Sequence, residues 1–137
     1  MAVIYLADTS VLTRIAVPVV RDVVRAHLAV GAIACCAMTQ LELGFSARNE
    51  SEWDAIQRAT DVFGTESVLP EDFRRAGQVQ RMLAAAALRG RKVPDLLVAA
   101  VAERAGRVVL HYDRDFEHIA GVTGQAQQWV VPPGSVD

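Results

Sequence analysis

Acidic residues recur in this chain where an apolar run ends or where a new helix is predicted to begin. Asp113 and Asp115 come just after the apolar run VVL, and Asp8 directly follows VIYLA. Glu42 and Asp95 lie near the starts of two predicted helices. If these side chains converge, carboxylates about 5 Å apart repel by roughly 3 kcal/mol per pair at an effective dielectric near 20. A divalent cation would remove that repulsion, and an all-oxygen ligand set suits Mg²⁺ or Mn²⁺ rather than zinc.

Each acid also has an ordinary structural interpretation. Asp113 and Asp115 suit a turn, because Asp side chains accept hydrogen bonds from nearby backbone N–H groups. Thr39 and Glu42 match a capping box, in which Glu42 would reach back to the backbone. Asp95 in a first helical turn is favoured by the helix dipole. However, the helix after Asp95 is apolar nearly all round, which predicts burial, and a buried carboxylate is costly unless it is paired or coordinated.

The elements that would position these acids alternate between strands and helices. We predict strands at VIYLA (3–7), AIACC (32–36), RVVLHY (107–112) and QWVVP (128–132), and a very short one within ESVLP (66–70). Helices are predicted from near Thr9, from Pro18 to Gly31, and over 39–49, 51–63, 71–90, 94–106 and 114–121. Continuous apolar strands indicate a parallel sheet covered on both faces, hence a three-layer α/β/α fold with a central, mainly parallel sheet. Ligands of such sheets bind at the carboxyl ends of the strands.

The length and composition limit the remaining possibilities. A chain of 137 residues predicts a single domain over 1–137, with the last residues, PPGSVD, flexible. The net charge of −2 gives no electrostatic argument for nucleic acid or membrane. The start lacks a signal peptide and no apolar stretch is long enough for a membrane span, so a cytoplasmic protein is expected. Cys35 and Cys36 are adjacent and would point to opposite faces of a strand, which favours core packing over a joint metal site.

Four short motifs carry a resemblance to a known family. ADTSVL, TQLELG, PDLLVAA and LHYDRDFEHIA occur in this order, and the tail TGQAQQWVVPPGS extends the likeness to essentially the whole chain. Together they resemble the PIN-domain ribonucleases, and specifically the VapC-type toxins of bacterial type II toxin–antitoxin pairs. One departure is Tyr112, where many PIN proteins carry Thr or another small polar residue before the Asp. Tyr112 puts a hydroxyl contribution at that position in doubt, but not the acidic core.

The resemblance implies a catalytic metal site and assigns its residues. The core ligands would be Asp8, Glu42, Asp95 and Asp113, with Asp115 at the edge of the site. Glu42 could instead hold the attacking water. A hydroxyl of Thr9 or Ser10 could lie near the metal, although helix capping explains those residues at least as well.

The resemblance also implies an activity and partners. The protein would be an Mg²⁺- or Mn²⁺-dependent endoribonuclease acting on tRNA or rRNA and leaving 5′-phosphate and 3′-hydroxyl ends. A cognate VapB-type antitoxin would lay an amphipathic segment over an apolar helix face, and a homodimer is expected within the toxin–antitoxin complex. The helices at 51–63 and 78–90 both offer such faces, and the sequence does not assign them. Substrate phosphates could contact the basic run at 89–92 and one earlier cation; these residues are Arg89, Arg91, Lys92 and Arg14.

Alternative interpretations remain for these residues and for the domain. The basic run also suits a solvated helix end. His111 could contact substrate, but a packed or surface histidine is favoured for it, as for His27 and His118, since none pairs at ligand spacing with another metal-type residue. Trp53 and Trp129 are better explained by packing than by base stacking. The domain could be a PIN-like binding module that does not cut RNA, or a receiver-like phosphoryl-transfer domain, although no Lys follows a predicted strand.

Overall fold

The computed structural model of the chain describes residues 4–88 and 92–137. Within these residues, strands and helices alternate along most of the chain. The strands are β1 (Tyr5–Ala7), β2 (Ile33–Cys36), β3 (Gly64–Glu66), β4 (Val108–His111) and β5 (Gln127–Trp129). The helices are α1 (Thr9–Leu12), α2 (Pro18–Ala29), α3 (Ala37–Phe45), α4 (Glu50–Thr60), α5 (Pro70–Ala85), α6 (Val93–Ala105) and α7 (Asp115–Thr123).

The five strands form one sheet in the order β3-β2-β1-β4-β5, and every neighbouring pair is parallel. The predicted parallel α/β/α fold is therefore confirmed. Ala7 pairs with Cys35 on one side and with Leu110 on the other. The carboxyl ends of β1, β2 and β4 consequently lie level at one edge of the sheet, and the chain segments that follow them leave from the same place.

The sheet is covered by a hydrophobic cluster on each face. Leu6 and Val109 belong to the cluster that contains the buried residues of α5, α6 and α7, whereas Ala7 and Leu110 belong to the cluster that contains those of α1 and α2. This alternation is the period of two expected for strands buried on both faces. Helix α6 is buried continuously over 95–102, as its apolar composition predicts. Among the described residues, no helix is both long and apolar enough to cross a membrane.

Helix α5 ends earlier than predicted. It stops at Ala85 rather than continuing to Gly90, which lies outside the described residues. Ala87 takes a left-handed φ of 59°, and the Leu88 N–H donates to the Leu83 carbonyl over 2.8 Å. This is a Schellman ending with Ala where Gly is usual. Leu88 packs against the core that contains Leu83, which offsets the strain and explains why the alanine run does not extend the helix.

Other boundaries differ from the sequence prediction as well, most clearly in β3, β5 and α3. Strand β3 covers Gly64–Glu66 rather than lying within 66–70, and β5 ends at Trp129 rather than at Pro132. Helix α3 begins at Ala37, two residues before Thr39, with Cys36 at its N-cap. Thr39 is thus inside the helix, and the alternative interpretation of Thr39 and Glu42 as a capping box is wrong.

Candidate metal centre

Asp8 links β1 to α1 at the carboxyl edge of the sheet. Its backbone N–H donates to the Leu110 carbonyl (2.9 Å), which holds it beside the end of β4. Its Oδ2 caps α1 by accepting from the Ser10 N–H (3.0 Å) and hydroxyl (2.7 Å). Asp8 is 2% exposed, and its Oδ1 has no hydrogen-bond partner among the described residues. Burial raises the pKa of this carboxyl, although the bonds from Ser10 act in the opposite direction.

Asp95 lies in the first turn of α6, at the same carboxyl edge of the sheet as Asp8. It is 4% exposed, and its Oδ2 likewise has no hydrogen-bond partner within the described part of the chain. Burial raises the pKa of Asp95 to about 8, and the negative charges of Asp8, Asp113 and Asp115 contribute in the same direction. Lys92 opposes that rise; its Nζ lies 3.9 Å from Asp95 Oδ2.

Asp113 follows β4 and is held in place by two donors. Its Oδ1 accepts from the Asp115 N–H (2.9 Å) and its Oδ2 from Lys92 Nζ (3.0 Å). Burial alone would raise the pKa of Asp113, but these two contacts together leave it below the ordinary value. One carboxylate oxygen from each of Asp95, Asp113 and Asp115 lies within 4.8 Å of the others.

Glu42 reaches the site from α3. Its Oε1 accepts a 2.7 Å hydrogen bond from the Thr9 hydroxyl, so it faces α1 rather than its own helix start. Partial burial raises the pKa of Glu42, while the bond from Thr9 acts against the rise. The two hydroxyls considered from the sequence therefore serve as donors to acids, Thr9 to Glu42 and Ser10 to Asp8.

A cavity of about 260 Å³ collects most of the predicted site residues. Its lining includes the four core acids and both described basic candidates; the full set is Asp8, Thr9, Ser10, Thr13, Arg14, Glu42, Lys92, Asp95, Tyr112 and Asp113. Asp115 is not part of the lining, but it joins Asp95 and Asp113 in the close group of carboxylates. The predictions for Arg89 and Arg91 fall outside the described residues.

The donor chemistry of this cavity fits a divalent cation. Two carboxylate oxygens, Asp8 Oδ1 and Asp95 Oδ2, are buried without a hydrogen-bond partner among the described residues, an arrangement that is unfavourable unless something binds them. The acids repel one another, and the Lys92 ammonium, which lines the cavity, contacts both Asp113 and Asp95. Hard oxygen donors of this kind suit Mg²⁺ or Mn²⁺.

His111 holds the backbone of Asp113 through a hydrogen bond, a role that the sequence did not reveal. The ring is fully buried, 5.0 Å from Phe116 and 4.9 Å from Trp129 between centroids, so the packed interpretation of this histidine holds. Nδ1 accepts the Asp113 N–H (3.1 Å) and Nε2 lies 2.5 Å from Gln127 Oε1. Burial lowers the pKa of His111, so the ring is neutral with its proton on Nε2. The sequence signal that could have revealed this is the turn pattern in which a side chain accepts from the N–H two residues later.

Tyr112 and Arg14 form the rim of the cavity next to the end of the chain. The Tyr112 hydroxyl donates to the Val136 carbonyl (2.7 Å) and accepts from the N–H groups of Gly134 and Val136. It therefore contributes no hydroxyl to the acids, as its replacement of a small polar residue suggested. Arg14 lies 4.7 Å from the centre of the Tyr112 ring and donates to the carbonyls of Ser10 (2.8 Å) and Asp137 (2.6 Å).

Comparisons with known proteins agree with this fold. The family model of the PIN domain matches residues 4–122 of the sequence. Ribonuclease VapC51 of Mycobacterium tuberculosis strain H37Rv is 50% identical over 137 residues, covering 100% of both chains. Ribonuclease VapC18 of the same strain is 37% identical, covering 97% of this chain and 99% of its own.

Solved structures share the same architecture. The crystal structure of VapBC2 from Rickettsia felis, bound to a promoter DNA fragment, superposes with a TM-score of 0.75. The match covers 94% of this chain and 98% of that chain at 12% identity, which shows the common fold. The chain belongs to the PIN-domain family and, within it, to the VapC-type ribonucleases.

Proposed function

We propose that this protein is the toxin of a type II toxin–antitoxin pair and a divalent-cation-dependent endoribonuclease that hydrolyses RNA phosphodiester bonds. The observation that carries the proposal is the convergence of Asp8, Glu42, Asp95 and Asp113 in one cavity at the carboxyl edge of the sheet. Asp8 Oδ1 and Asp95 Oδ2, which have no hydrogen-bond partner in the described part of the chain, distinguish this arrangement from a set of ordinary helix caps. Similarity to full-length VapC ribonucleases supports the same reaction.

Each acid has a proposed part in the mechanism. Asp8, Asp95 and Asp113 would hold Mg²⁺ or Mn²⁺, with Asp115 at the edge. A bound cation of this class supplies Lewis acidity that lowers the pKa of a water and stabilises charge on the phosphorus. Glu42, which accepts a hydrogen bond from the Thr9 hydroxyl, would orient the attacking water. The products would carry 5′-phosphate and 3′-hydroxyl ends.

RNA would bind through cations at the rim of the cavity. Lys92 and Arg14 both line it, so phosphates flanking the cut would meet positive charge on two sides. We retain Arg89 and Arg91 as candidates because both lie within the three residues before Lys92 in sequence. Structured RNA such as tRNA or rRNA is the proposed substrate.

A VapB-type antitoxin is the proposed inhibitor. An apolar groove of about 230 Å³ adjoins the site, since α1 supplies Leu12 to the groove and Thr9 to the acidic cavity. The groove is lined by Leu12, Ile15, Leu43, Ile56, Ala59, Thr60 and Phe63. On α3, Leu41 and Phe45 are also exposed. We propose that an amphipathic antitoxin segment packs on this surface of α3 and α4; a homodimer within the complex stays a prediction.

The direct test is cleavage of RNA by purified, antitoxin-free protein in Mg²⁺, in Mn²⁺ and in EDTA. We expect cleavage only with a metal ion, and a loss of at least about a hundredfold in Asp8→Asn and Asp95→Asn, because each removes a charged ligand. Asp22→Asn, at an exposed position of α2, is the matched control and should cleave normally. Metal binding without cleavage of any RNA pool would support the non-cutting binding module instead.

A receiver-like phosphoryl-transfer domain is disfavoured by the position of the lysine. Lys92 is the single lysine of the sequence, and it precedes α6 rather than following a strand. Failure of wild-type protein to bind either metal would contradict the proposed mechanism as a whole.

A further inference from the structure

We propose that the Lys92 ammonium acts as an internal competitor for the metal, neutralising the acids in the metal-free protein and withdrawing when a divalent cation binds. This inference rests on the proposed metal-dependent function, and it adds a control on metal loading by a residue of the chain itself. It differs from a role in RNA binding because it concerns the protein before any substrate arrives.

The position of Lys92 supports this exchange. Its Nζ lies 3.0 Å from Asp113 Oδ2 and 3.9 Å from Asp95 Oδ2, so it bridges two of the proposed ligands from different elements. Asp95 Oδ2, the farther of the two, is also the buried oxygen without a hydrogen-bond partner among the described residues. Lys92 therefore compensates the charge of Asp113 and Asp95 without donating a hydrogen bond to Asp95 Oδ2. A cation that contacted both Oδ2 atoms would bind them more strongly.

The ammonium and a divalent cation cannot share this position. Both would lie against Asp113, and like charges in one cavity repel. Lys92 can withdraw at little cost because its side chain is 63% exposed, at the start of α6, and its flexible stem allows the ammonium to turn toward solvent.

The experiment measures Mn²⁺ binding without RNA, so that it does not depend on activity. Free Mn²⁺ is followed by its room-temperature EPR signal for wild type, Lys92→Met and Lys92→Arg at one pH and ionic strength. Arg25→Met removes the same charge from an exposed position of α2 outside the cavity, and is the control for net charge. Circular dichroism checks that each variant is folded.

We expect Lys92→Met to bind Mn²⁺ at least about threefold more tightly than wild type, because the competing charge is gone. Lys92→Arg and Arg25→Met should stay near the wild-type affinity. Equal or weaker binding by Lys92→Met would overturn the inference while leaving the metal site intact, as would equal tightening by Arg25→Met. Absence of Mn²⁺ binding in both wild type and Lys92→Met would overturn the proposed function as well.

Discussion

At the scale of single residues, the neighbouring carboxyl groups of Asp113 and Asp95 repel each other, and their surroundings shift their pKa values in opposite directions. Asp113 receives the Lys92 ammonium and a backbone N–H and has a lowered pKa. Asp95 is more deeply buried, has no comparable donor on Oδ2, and has a pKa of about 8. In the metal-free protein near neutral pH, Asp113 is therefore ionised while Asp95 mainly holds a proton. This division is the usual outcome when coupled acids share a site.

The raised pKa of Asp95 predicts a pH-dependent stability of the metal-free protein. The folded state holds this proton up to a pKa of about 8, whereas the unfolded chain releases it near 3.8. The stabilisation is thus complete below about pH 4 and is lost as pH rises through 8. In EDTA, the thermal midpoint should fall by at least about 3 °C between pH 6 and pH 9. Asp95→Asn should show a flatter profile in the same scan, and parallel profiles for the two proteins would contradict the assignment.

A second prediction at this scale concerns His111 as a positioning residue for Asp113. Replacing it with Leu removes the acceptor for the Asp113 N–H, and we expect kcat to fall about 10–100-fold, as for other groups that orient a metal ligand. Asn can accept the N–H two residues later in an Asx turn, so His111→Asn should recover most of kcat. Both variants lose ring packing, so this rescue separates positioning from structural support. His118→Leu on α7 is the control, and equal loss in the Leu and Asn variants would contradict the role.

At the scale of elements, the site depends on how α6 is fixed against α5. Asp72 is 1% exposed on α5, and its Oδ1 accepts from Arg104 Nε of α6 over 2.9 Å. Its Oδ2 accepts from the Leu69 N–H (2.8 Å) and also from Arg104 Nη2. Arg104 donates further to the Ser67 carbonyl. One carboxylate therefore caps α5 and anchors α6, the helix whose first turn presents Asp95.

This arrangement predicts a stability defect when the Asp72 carboxylate is replaced. Asp72→Asn should lower the free energy of unfolding by about 2–3 kcal/mol, because it weakens buried, charge-assisted hydrogen bonds. Urea unfolding followed by circular dichroism measures the change. Glu52→Gln, which removes the solvent-exposed ion pair with Arg48, should leave the midpoint unchanged. Similar midpoints for Asp72→Asn and wild type would show that the pair does not anchor α6.

At the scale of the whole molecule, the acidic cavity and the apolar groove adjoin at α1, which contributes residues to both. Thr9 and Ser10 face the acids, and Leu12, one turn later, lines the groove. A protein segment seated in the groove would thus lie within one helical turn of Thr9, which lines the acidic cavity.

We expect a charge in the groove to separate inhibition from catalysis. Ala59 lines the groove and is exposed, so Ala59→Glu should fold normally, cleave RNA like the wild type and lose at least about tenfold in affinity for the cognate antitoxin. Val30→Asp, an exposed apolar position at the end of α2, serves as the matched control and should remain inhibited. Titration of RNA cleavage with purified antitoxin measures both. Full inhibition of Ala59→Glu would place the antitoxin elsewhere.

The sequence by itself determined the parallel three-layer fold, because apolar runs, proline and glycine act locally. It also placed Asp8 and Asp113 after strands and Asp95 at the start of a buried helix. In a parallel sheet these positions lie at the same edge, so the topology predicted that the three acids would meet. The tertiary structure decided which partner each side chain meets. Glu42 bonds Thr9, Lys92 bridges to Asp113 and His111 reaches Gln127, and each contact joins residues far apart in the chain. Such pairings depend on the packing of whole elements, which no local pattern of residues encodes.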